Sequence, residues 1–249
     1  MRLHNMADAS VRARCDRLAA MNIVITGANR GIGLELVRQY LARGDSIHAG
    51  VRMPERSNEL AALVESSGGR LRISACDVAL EPSVRAFAAS VAGPVDLLIN
   101  NAGVRSRERA DGVEALDLAD ATRTFEVNAL GPLRLTGALL PMLRRSRGAK
   151  IANISSGLGS IDNSSGGAYG YRMSKAALNM ASRSLAQDLK DEGIVTVVLS
   201  PGWVQTDMGG SDAPTPVTES ASGLIGVIDR LTPKDSGGFF DFRGERIPW

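Results

Sequence analysis

Tyr171 and Lys175 lie four residues apart in a segment with helical periodicity, a spacing that stacks the two side chains on one face of a helix. A free tyrosine has a pKa near 10, so a phenol that exchanges protons near pH 7 needs roughly 4 kcal/mol of help. A nearby ammonium group stabilises the phenolate. By itself a Tyr-x-x-x-Lys pair is common on helices, and Tyr169 is a rival, but the residue four positions beyond Tyr169 is the uncharged Met173. We therefore predict that Tyr171 is a catalytic acid and base assisted by Lys175.

Two serines follow the apolar, strand-like segment 149–154. The carboxyl ends of parallel strands form the edge at which open α/β sheets bind ligands. A hydroxyl at this edge could hold a substrate carbonyl. We choose Ser156, the second serine, and keep Ser155 as the alternative.

Asn128 lies four residues before Pro132. Because proline has no N–H to donate to the carbonyl four residues earlier, the Asn128 carbonyl is freed. Such a carbonyl can hold a water that connects to Lys175 and forms a proton path to solvent. A kink that serves packing alone is the alternative.

A glycine-rich turn, TGANRGIG at 26–33, follows the first apolar strand and precedes a helical segment. Glycines let the chain turn tightly and bring its backbone against a pyrophosphate at a helix N-terminus. A purely structural turn is the alternative, because the spacing differs from the G-x-G-x-x-G pattern. The residues predicted to bind a dinucleotide here are Gly27, Asn29, Arg30, Gly31, Ile32 and Gly33.

The residue just past the second predicted strand is Arg52. An acidic residue at this position would accept hydrogen bonds from a free ribose 2′-hydroxyl, whereas a guanidinium suits a 2′-phosphate. Arg30 adds a second cation nearby. We therefore predict that NADP(H) is preferred over NAD(H). The alternative is that both arginines simply face solvent.

Two further segments end predicted strands at the same edge of the sheet. Asp77 and Val78 follow the third strand, and the Asp77 carboxylate could accept a hydrogen bond from an adenine amino group. Asn101, Ala102 and Gly103 follow the fourth strand. We predict that all five residues contact the cofactor.

Short apolar runs alternate with longer helix-period segments along the whole chain, the pattern of βαβ units wound into a parallel sheet. We therefore predict an α/β, Rossmann-type, doubly wound sheet flanked by helices, in one domain at 21–249. A stretch at about 205–220 is rich in Gly, Ser, Thr, Pro and Asp and is predicted to be a substrate loop. The predicted strands are 22–26, 46–51, 71–75, 95–99, 149–154, 194–200 and 238–242.

The 29 basic residues are spread among 27 acidic ones, so the sequence has no basic patch that would indicate a nucleic-acid partner. No apolar run approaches the roughly 20 residues of a membrane helix. Two cysteines allow at most one disulfide, and we expect unpaired thiols in a cytoplasmic protein. The only histidines, His4 and His48, lie in the N-terminal segment and in a predicted strand, so we predict no metal site.

Residues 1–20 carry several arginines but lack the apolar core of a secretory signal. We interpret them as a disordered N-terminal extension that precedes a buried first strand. A targeting or partner-binding arm is the alternative.

Taken together, these residues resemble the classical short-chain dehydrogenase/reductase family from about Met21 to the C-terminus. The glycine turn, Asn100–Gly103, Asn128, Ser156, Tyr171, Lys175 and the segment 201–206 (PGWVQT) occur in the family order. The resemblance implies seven strands, Tyr171 as acid and base, Ser156 polarising the carbonyl, Lys175 on the nicotinamide ribose and Asn128 anchoring a proton relay. It also implies cofactor contacts from Pro201, Gly202, Val204 and Thr206, with Thr206 donating to the nicotinamide carboxamide.

Ser156 and Tyr171 are 15 residues apart, two more than is usual in the family. This longer loop, the YGYRMSK run at 169–175 and the last residues, 237–249, resemble the branch containing C-factor and the sniffer-type carbonyl reductases. The large insertion that keeps some carbonyl reductases monomeric is absent, so the resemblance implies a homodimer or homotetramer.

The sequence thus predicts reversible reduction of a small aldehyde or ketone with NADPH. Two other classes of function compete with it. A cofactor-binding signalling or sensing protein of the C-factor type would have no need of the tyrosine. A nucleotide-sugar epimerase or dehydratase fits poorly, because no extended C-terminal substrate domain is present.

Overall fold

The computed structural model describes residues 20–105 and 113–249, so almost all of the predicted extension 1–20 lies outside the described residues. The strands are β1 (Asn22–Thr26), β2 (Ser46–Val51), β3 (Leu71–Ala75), β4 (Leu97–Asn100), β5 (Lys150–Ile154), β6 (Val195–Ser200) and β7 (Phe239–Asp241). The longer helices are α1 (Gly31–Arg43), α2 (Asn58–Ser66), α3 (Glu81–Ser90), α4 (Leu118–Phe125), α5 (Gly131–Leu143), α6 (Tyr169–Asp188) and α7 (Val217–Arg230).

The seven strands form one sheet in the order β3-β2-β1-β4-β5-β6-β7, and every neighbouring pair is parallel. Both faces of the sheet are buried, because successive strand residues enter different apolar clusters. Ile23 and Ile25 pack with side chains of α1, α2 and α7, whereas Val24 and Leu98 pack with side chains of α3 and α5. The predicted doubly wound α/β fold is confirmed.

The strand positions follow the prediction closely, with the main difference at β4. The first three strands have the predicted bounds, whereas β4 begins at Leu97 instead of residue 95 and extends to Asn100. Val95 lies outside the ladder because its amide donates to the Met142 carbonyl at 3.1 Å, beside the end of α5. The predicted substrate loop is shorter than expected at its far end, since α7 begins at Val217.

The strand order reverses between β1 and β4, which places a topological switch point at the centre of the sheet. Ligands of open α/β sheets bind outside the carboxyl ends of the strands at such a point. In the part of the chain that the structure describes, no helix is both long and apolar enough to cross a membrane.

Candidate active site

A cavity of about 420 Å³ runs along the carboxyl edge of the sheet and is lined by residues that follow six strands, β1 to β6. Five strand spacings of about 4.8 Å correspond to roughly 24 Å along this edge. The cavity is therefore an elongated groove centred on the switch point. Predicted cofactor-binding residues that line it are Gly27, Asn29, Arg30, Gly31, Ile32, Gly33, Arg52, Asp77, Val78, Asn101, Ala102, Gly103, Tyr171, Lys175, Pro201 and Thr206.

The glycine turn is held tightly by the segment that follows β4. Gly27 has a φ of +63°, and a Cβ there would lie 2.8 Å from the Ala102 Cα. The side-chain amide of Asn101 donates to the carbonyls of Thr26 and Gly27 at 2.9 and 3.1 Å. A Cβ at Gly33 would overlap the Gly27 carbonyl oxygen. The glycines are therefore required by close approach of backbone to backbone.

The first turn of α1 faces the cavity with its amide groups available for a ligand. Its N-cap residue, Arg30, makes no side-chain capping hydrogen bond, and Gly31, Ile32 and Gly33 all line the cavity. Amides at a helix N-terminus, together with the helix dipole, favour an anion. This end of α1 is suited to a pyrophosphate.

Three arginines line the cavity near the ends of β1 and β2. Arg30 forms an exposed ion pair with Asp207 at 2.9 Å, across the mouth of the groove. The guanidinium groups of Arg52 and Arg56 form no hydrogen bond or ion pair with any residue that the structure describes, and both line the cavity. The Arg30 guanidinium, which we expected to supply a second cation, is thus already paired with Asp207, whereas Arg56 is a further cation that lines the same cavity as Arg52.

Asp77 and Val78 lie at the β3 end of the groove. One carboxylate oxygen of Asp77 accepts a hydrogen bond from the Ala79 amide at 3.0 Å, which shapes the turn before α3. Val78 packs so closely on Gly131 that a Cβ there would lie 2.8 Å from a Val78 methyl. These contacts fix the floor of the groove where an adenine is predicted.

At the other end of the groove, Lys175 is buried and points toward the strand edge. Its ammonium donates to the Ile154 carbonyl at 2.8 Å, and its Nζ lies 5.8 Å from the centre of the Tyr171 ring. Burial lowers the pKa of Lys175 to about 8. As predicted from their spacing, both residues lie on the same face of α6 and line the cavity, whereas Tyr169 is not among the lining residues.

The two candidate serines differ in what their hydroxyls contact. Ser155 is buried, and its Oγ donates to the Asn179 side chain at 2.7 Å. Ser155 also lines the cavity, whereas Ser156 does not. The Ser156 Oγ accepts from the Leu158 amide at 3.1 Å, and a hydrogen bond from Ser156 lowers the pKa of the Tyr171 phenol. Burial raises the pKa of Tyr171, while this hydrogen bond and the positive charge of Arg105 oppose the rise. The interaction with the phenol favours Ser156 as the partner of the tyrosine, across a loop two residues longer than usual, whereas the cavity lining includes only Ser155 of the two serines.

Asn128 is fully buried in a π-helical turn, Glu126–Leu130, that joins α4 to α5. Its side chain accepts from the Val104 amide and donates to the Val104 carbonyl, both at 2.8 Å. It also donates to the Ser174 hydroxyl at 3.0 Å, and Ser174 in turn donates to the Tyr171 carbonyl at 2.7 Å. Asn128 thus connects the wall of the cavity to the helix that carries the tyrosine.

The segment after β6 contributes less to the cavity than predicted. Pro201 and Thr206 line it, but Gly202 and Val204 do not. Gly202 has a φ of +81° and packs on Phe242, and Val204 is buried and pairs with Thr215. Their predicted contact with a cofactor stays a prediction, and in the structure both shape the loop.

Sequence reasoning missed Arg56 and Asn179. Arg56 ends a short helical turn, Pro54–Arg56, and the sequence signal was a second arginine four residues beyond Arg52. Asn179 is buried beneath the serines, and the signal was a polar residue four positions beyond Lys175 on the same face of α6.

Comparisons with known proteins agree with this fold. Residues 21–216 match the family model described as short chain dehydrogenase. The C-signal protein of Myxococcus xanthus is 56% identical over 168 residues, which are 67% of this chain and 100% of that protein.

Two solved structures resemble the chain over almost its full length. The NADPH-bound carbonyl reductase from chicken fatty liver is 36% identical and has a TM-score of 0.86, with 93% of this chain and 100% of that chain covered. Carbonyl reductase Sniffer of D. melanogaster is 34% identical and has a TM-score of 0.87, with 92% of this chain and 100% of that chain covered. The chain therefore belongs to the short-chain dehydrogenase/reductase family of oxidoreductases, in the branch of C-factor and the sniffer-type carbonyl reductases.

Proposed function

We propose that this protein reduces an aldehyde or ketone to an alcohol, reversibly, with NADPH as the preferred hydride donor. The observation that carries the proposal is the meeting of three groups at one end of the groove. The Tyr171 phenol and the Lys175 ammonium line the cavity, and the Ser156 hydroxyl bonds the phenol. A site for binding alone would not require an acid, a hydrogen-bond partner for it and a buried cation together.

The residues that line the groove include the hydrogen-bond donors and cations that a phosphorylated dinucleotide would need. The uncapped first turn of α1 suits a pyrophosphate, and Arg52 and Arg56 at the β2 end suit a 2′-phosphate. Asp77 would accept from the adenine amino group, and Thr206 would donate to the nicotinamide carboxamide. The preference for NADP(H) over NAD(H) is supported by the two arginines and by the NADPH bound to the chicken carbonyl reductase.

A bound nicotinamide cofactor supplies a hydride to the carbonyl carbon of the substrate. Tyr171 donates a proton to the carbonyl oxygen, and Ser156 holds that oxygen while charge develops on it. General acid catalysis by a positioned side chain contributes about 10²–10⁴-fold to the rate. In the reverse direction the same phenol, deprotonated, accepts the proton of the alcohol.

Lys175 and Asn128 would form the path by which protons pass between Tyr171 and solvent. A pKa of about 8 lets the Lys175 amine exchange protons near neutral pH. The Asn128 carbonyl would hold a water that links Lys175 to solvent, while the Asn128 side chain fixes the Ser174–Tyr171 turn of α6. Lys175 would also bind the nicotinamide ribose.

The first experiment titrates the purified protein with NADPH and with NADH, then follows cofactor absorbance with a panel of carbonyl compounds. A Tyr171→Phe variant is compared with Tyr169→Phe, which removes a phenol from the same helix outside the cavity. We expect tighter NADPH binding, and turnover that Tyr171→Phe abolishes and Tyr169→Phe retains. Equal loss in both variants would contradict the assignment of Tyr171, and tighter NADH binding would contradict the interpretation of the arginines.

The likeness to C-signal favours one alternative, a signalling or sensing protein that binds a nicotinamide cofactor and turns over weakly. The complete set of Asn128, Ser156, Tyr171 and Lys175 argues against it. If the protein binds NADPH but reduces none of the carbonyl compounds in the panel, the signalling or sensing function would be favoured.

We also propose that the protein is a cytoplasmic homodimer or homotetramer that needs neither a nucleic acid nor a membrane. Helices α4 and α6 pack together and leave apolar side chains exposed at seven-residue intervals. On α4 these are Leu118 and Phe125, and on α6 they are Met173 and Met180. A monomer in sedimentation equilibrium would contradict the oligomer.

A further inference from the structure

The turn that carries Ser156 is hydrogen-bonded on both of its flanks by the Asn179 side chain of α6. Asn179 is buried, and its Oδ1 accepts from the Ser155 hydroxyl at 2.7 Å while its Nδ2 donates to the Gly159 carbonyl at 3.1 Å. Ser155 and Gly159 flank the turn on its two sides, with Ser156 between them. One amide group therefore spans the whole turn.

The same turn packs directly against the helix that carries the acid. A Cβ at Gly159 would lie 2.9 Å from the Lys175 Cβ and 3.1 Å from the Asn179 amide nitrogen. Lys175 and Asn179 are one helical turn apart on the face of α6 that carries Tyr171. The distance between serine and tyrosine is thus set where Asn179 joins the turn to α6.

A second tether holds the turn from the sheet. The Gly157 amide donates to the Ser200 hydroxyl at the end of β6 at 3.0 Å. This bond fixes one amide relative to β6, but it does not reach α6. Asn179 is the described side chain that hydrogen-bonds both flanks of the turn from α6.

We propose that Asn179 is a positioning residue that fixes the Ser156 hydroxyl against the Tyr171 phenol. Asn179 is not among the residues that line the cavity, and it acts through its hydrogen bonds with Ser155 and Gly159. The inference rests on the proposed carbonyl reduction, in which Ser156 and Tyr171 share the substrate oxygen. A misplacement of about 1 Å in such a pair can reduce a rate by roughly a hundredfold.

The test compares Asn179→Ala with Ser155→Ala, the double variant, and a matched control. Ser182→Ala is the control because Ser182 is buried on the same helix and holds Asn153 at 2.9 Å, away from the serine turn. The measurements are kcat and KM at saturating NADPH, the pH dependence of alcohol oxidation, and amide hydrogen exchange of residues 157–160.

We expect Asn179→Ala to lower kcat by roughly ten- to a hundredfold with a smaller change in KM. The pH range over which the rate of alcohol oxidation increases should move to higher pH in this variant. The reason is that the Ser156 hydrogen bond, which the variant disturbs, lowers the pKa of the Tyr171 phenol. Amide hydrogen exchange of residues 157–160 should be faster in Asn179→Ala than in the wild type. Ser155→Ala should give a smaller loss, the double variant should lose no more than Asn179→Ala, and Ser182→Ala should keep the wild-type kcat and pH dependence.

Unchanged kcat, pH dependence and exchange in Asn179→Ala would overturn the inference while leaving the proposed function intact. A loss in Ser182→Ala equal to that in Asn179→Ala would also overturn it, because any buried polar deletion would then suffice. If Asn179→Ala does not fold, Ser155→Ala tests the same contact with a smaller change. If the wild-type protein reduces no carbonyl, the proposed function fails, and the exchange measurement alone decides whether Asn179 holds the turn.

Discussion

Replacement of Lys175 by methionine is expected to remove a pH-dependent destabilisation of the cofactor-free protein. The Lys175 amine is buried, and burial lowers its pKa from 10.5 to about 8. A base whose pKa is lower in the folded state binds fewer protons there than in the unfolded chain. The free energy of unfolding of the wild type must therefore rise as the pH increases from about 8 to 10.5.

The magnitude follows from the two pKa values. One pKa unit corresponds to about 1.4 kcal/mol, so the buried ammonium destabilises the fold by roughly 3 kcal/mol at pH 7. This penalty is fully present below the folded-state pKa and is lost above the unfolded-state pKa. Between pH 7 and pH 9.5 the wild type should regain about 2 kcal/mol relative to Lys175→Met.

The assay is urea unfolding of both proteins at a series of pH values, without cofactor. Lys234→Met serves as the control, because Lys234 lies exposed in the short turn Pro233–Asp235. We expect the free energy of unfolding of the wild type minus that of Lys175→Met to increase as the pH rises, and the corresponding value for Lys234→Met to stay constant. If the free energy of unfolding of the wild type minus that of Lys175→Met stays constant or falls as the pH rises, the reasoning is refuted, since the hydrogen bond to Ile154 would then be keeping the amine charged.

Three further outcomes are expected from the cofactor groove. Arg52→Ala and Arg56→Ala should each weaken NADPH binding by roughly ten- to a hundredfold and leave NADH binding unchanged, because each removes a charge-assisted hydrogen bond to a 2′-phosphate. Fluorescence titration measures both affinities, and equal weakening for the two cofactors would contradict this prediction. Asp207→Asn should tighten NADPH binding by up to about fivefold in the same titration, because Asp207 competes with the 2′-phosphate for Arg30 through an exposed ion pair worth up to about 1 kcal/mol. If NADH binding tightened to the same degree, Asp207 would not be competing with the 2′-phosphate. Gly33→Ala should abolish measurable binding of both cofactors, because its Cβ would displace the Gly27 carbonyl and open the turn; calorimetry would detect any binding that survives.

The elements of the fold were predictable because each strand is a short apolar run bounded by glycine, proline or polar residues. Gly44 shows how such a boundary operates: it ends α1 with a φ of 99°, and its amide donates to the Leu41 carbonyl at 3.0 Å. The displaced start of β4 was not predictable, because apolar Val95 satisfies its amide with Met142 of a distant segment. Hydrophobic periodicity predicts which residues are buried, but it does not predict which carbonyl a backbone amide donates to.

The candidate site was predictable where function depends on residue type at a fixed local spacing. Tyr171 and Lys175 follow from helix geometry, and the glycine turn follows from the strand before it. Residues whose role depends on a contact between distant segments were missed. Arg56 and Asn179 are examples, since one reaches the groove through a short helical turn and the other lies beneath a loop of unusual length.

Under the proposed mechanism, the two pKa directions at the site imply that alcohol oxidation requires the oxidised cofactor to bind first. In the protein alone, burial holds the pKa of the Tyr171 phenol above its ordinary value and brings that of Lys175 down to about 8. As the pH rises, Lys175 therefore loses its proton before Tyr171 does, which is the reverse of the order that a phenolate beside an ammonium requires. Ser156 and Arg105 oppose this order but do not reverse it. A further positive charge beside the phenol, of the kind that an oxidised nicotinamide carries, lowers the pKa of Tyr171 by stabilising the phenolate. Under the proposed mechanism, the phenolate that accepts the alcohol proton is therefore stabilised only when the oxidised cofactor is bound, and we expect alcohol to bind productively after that cofactor.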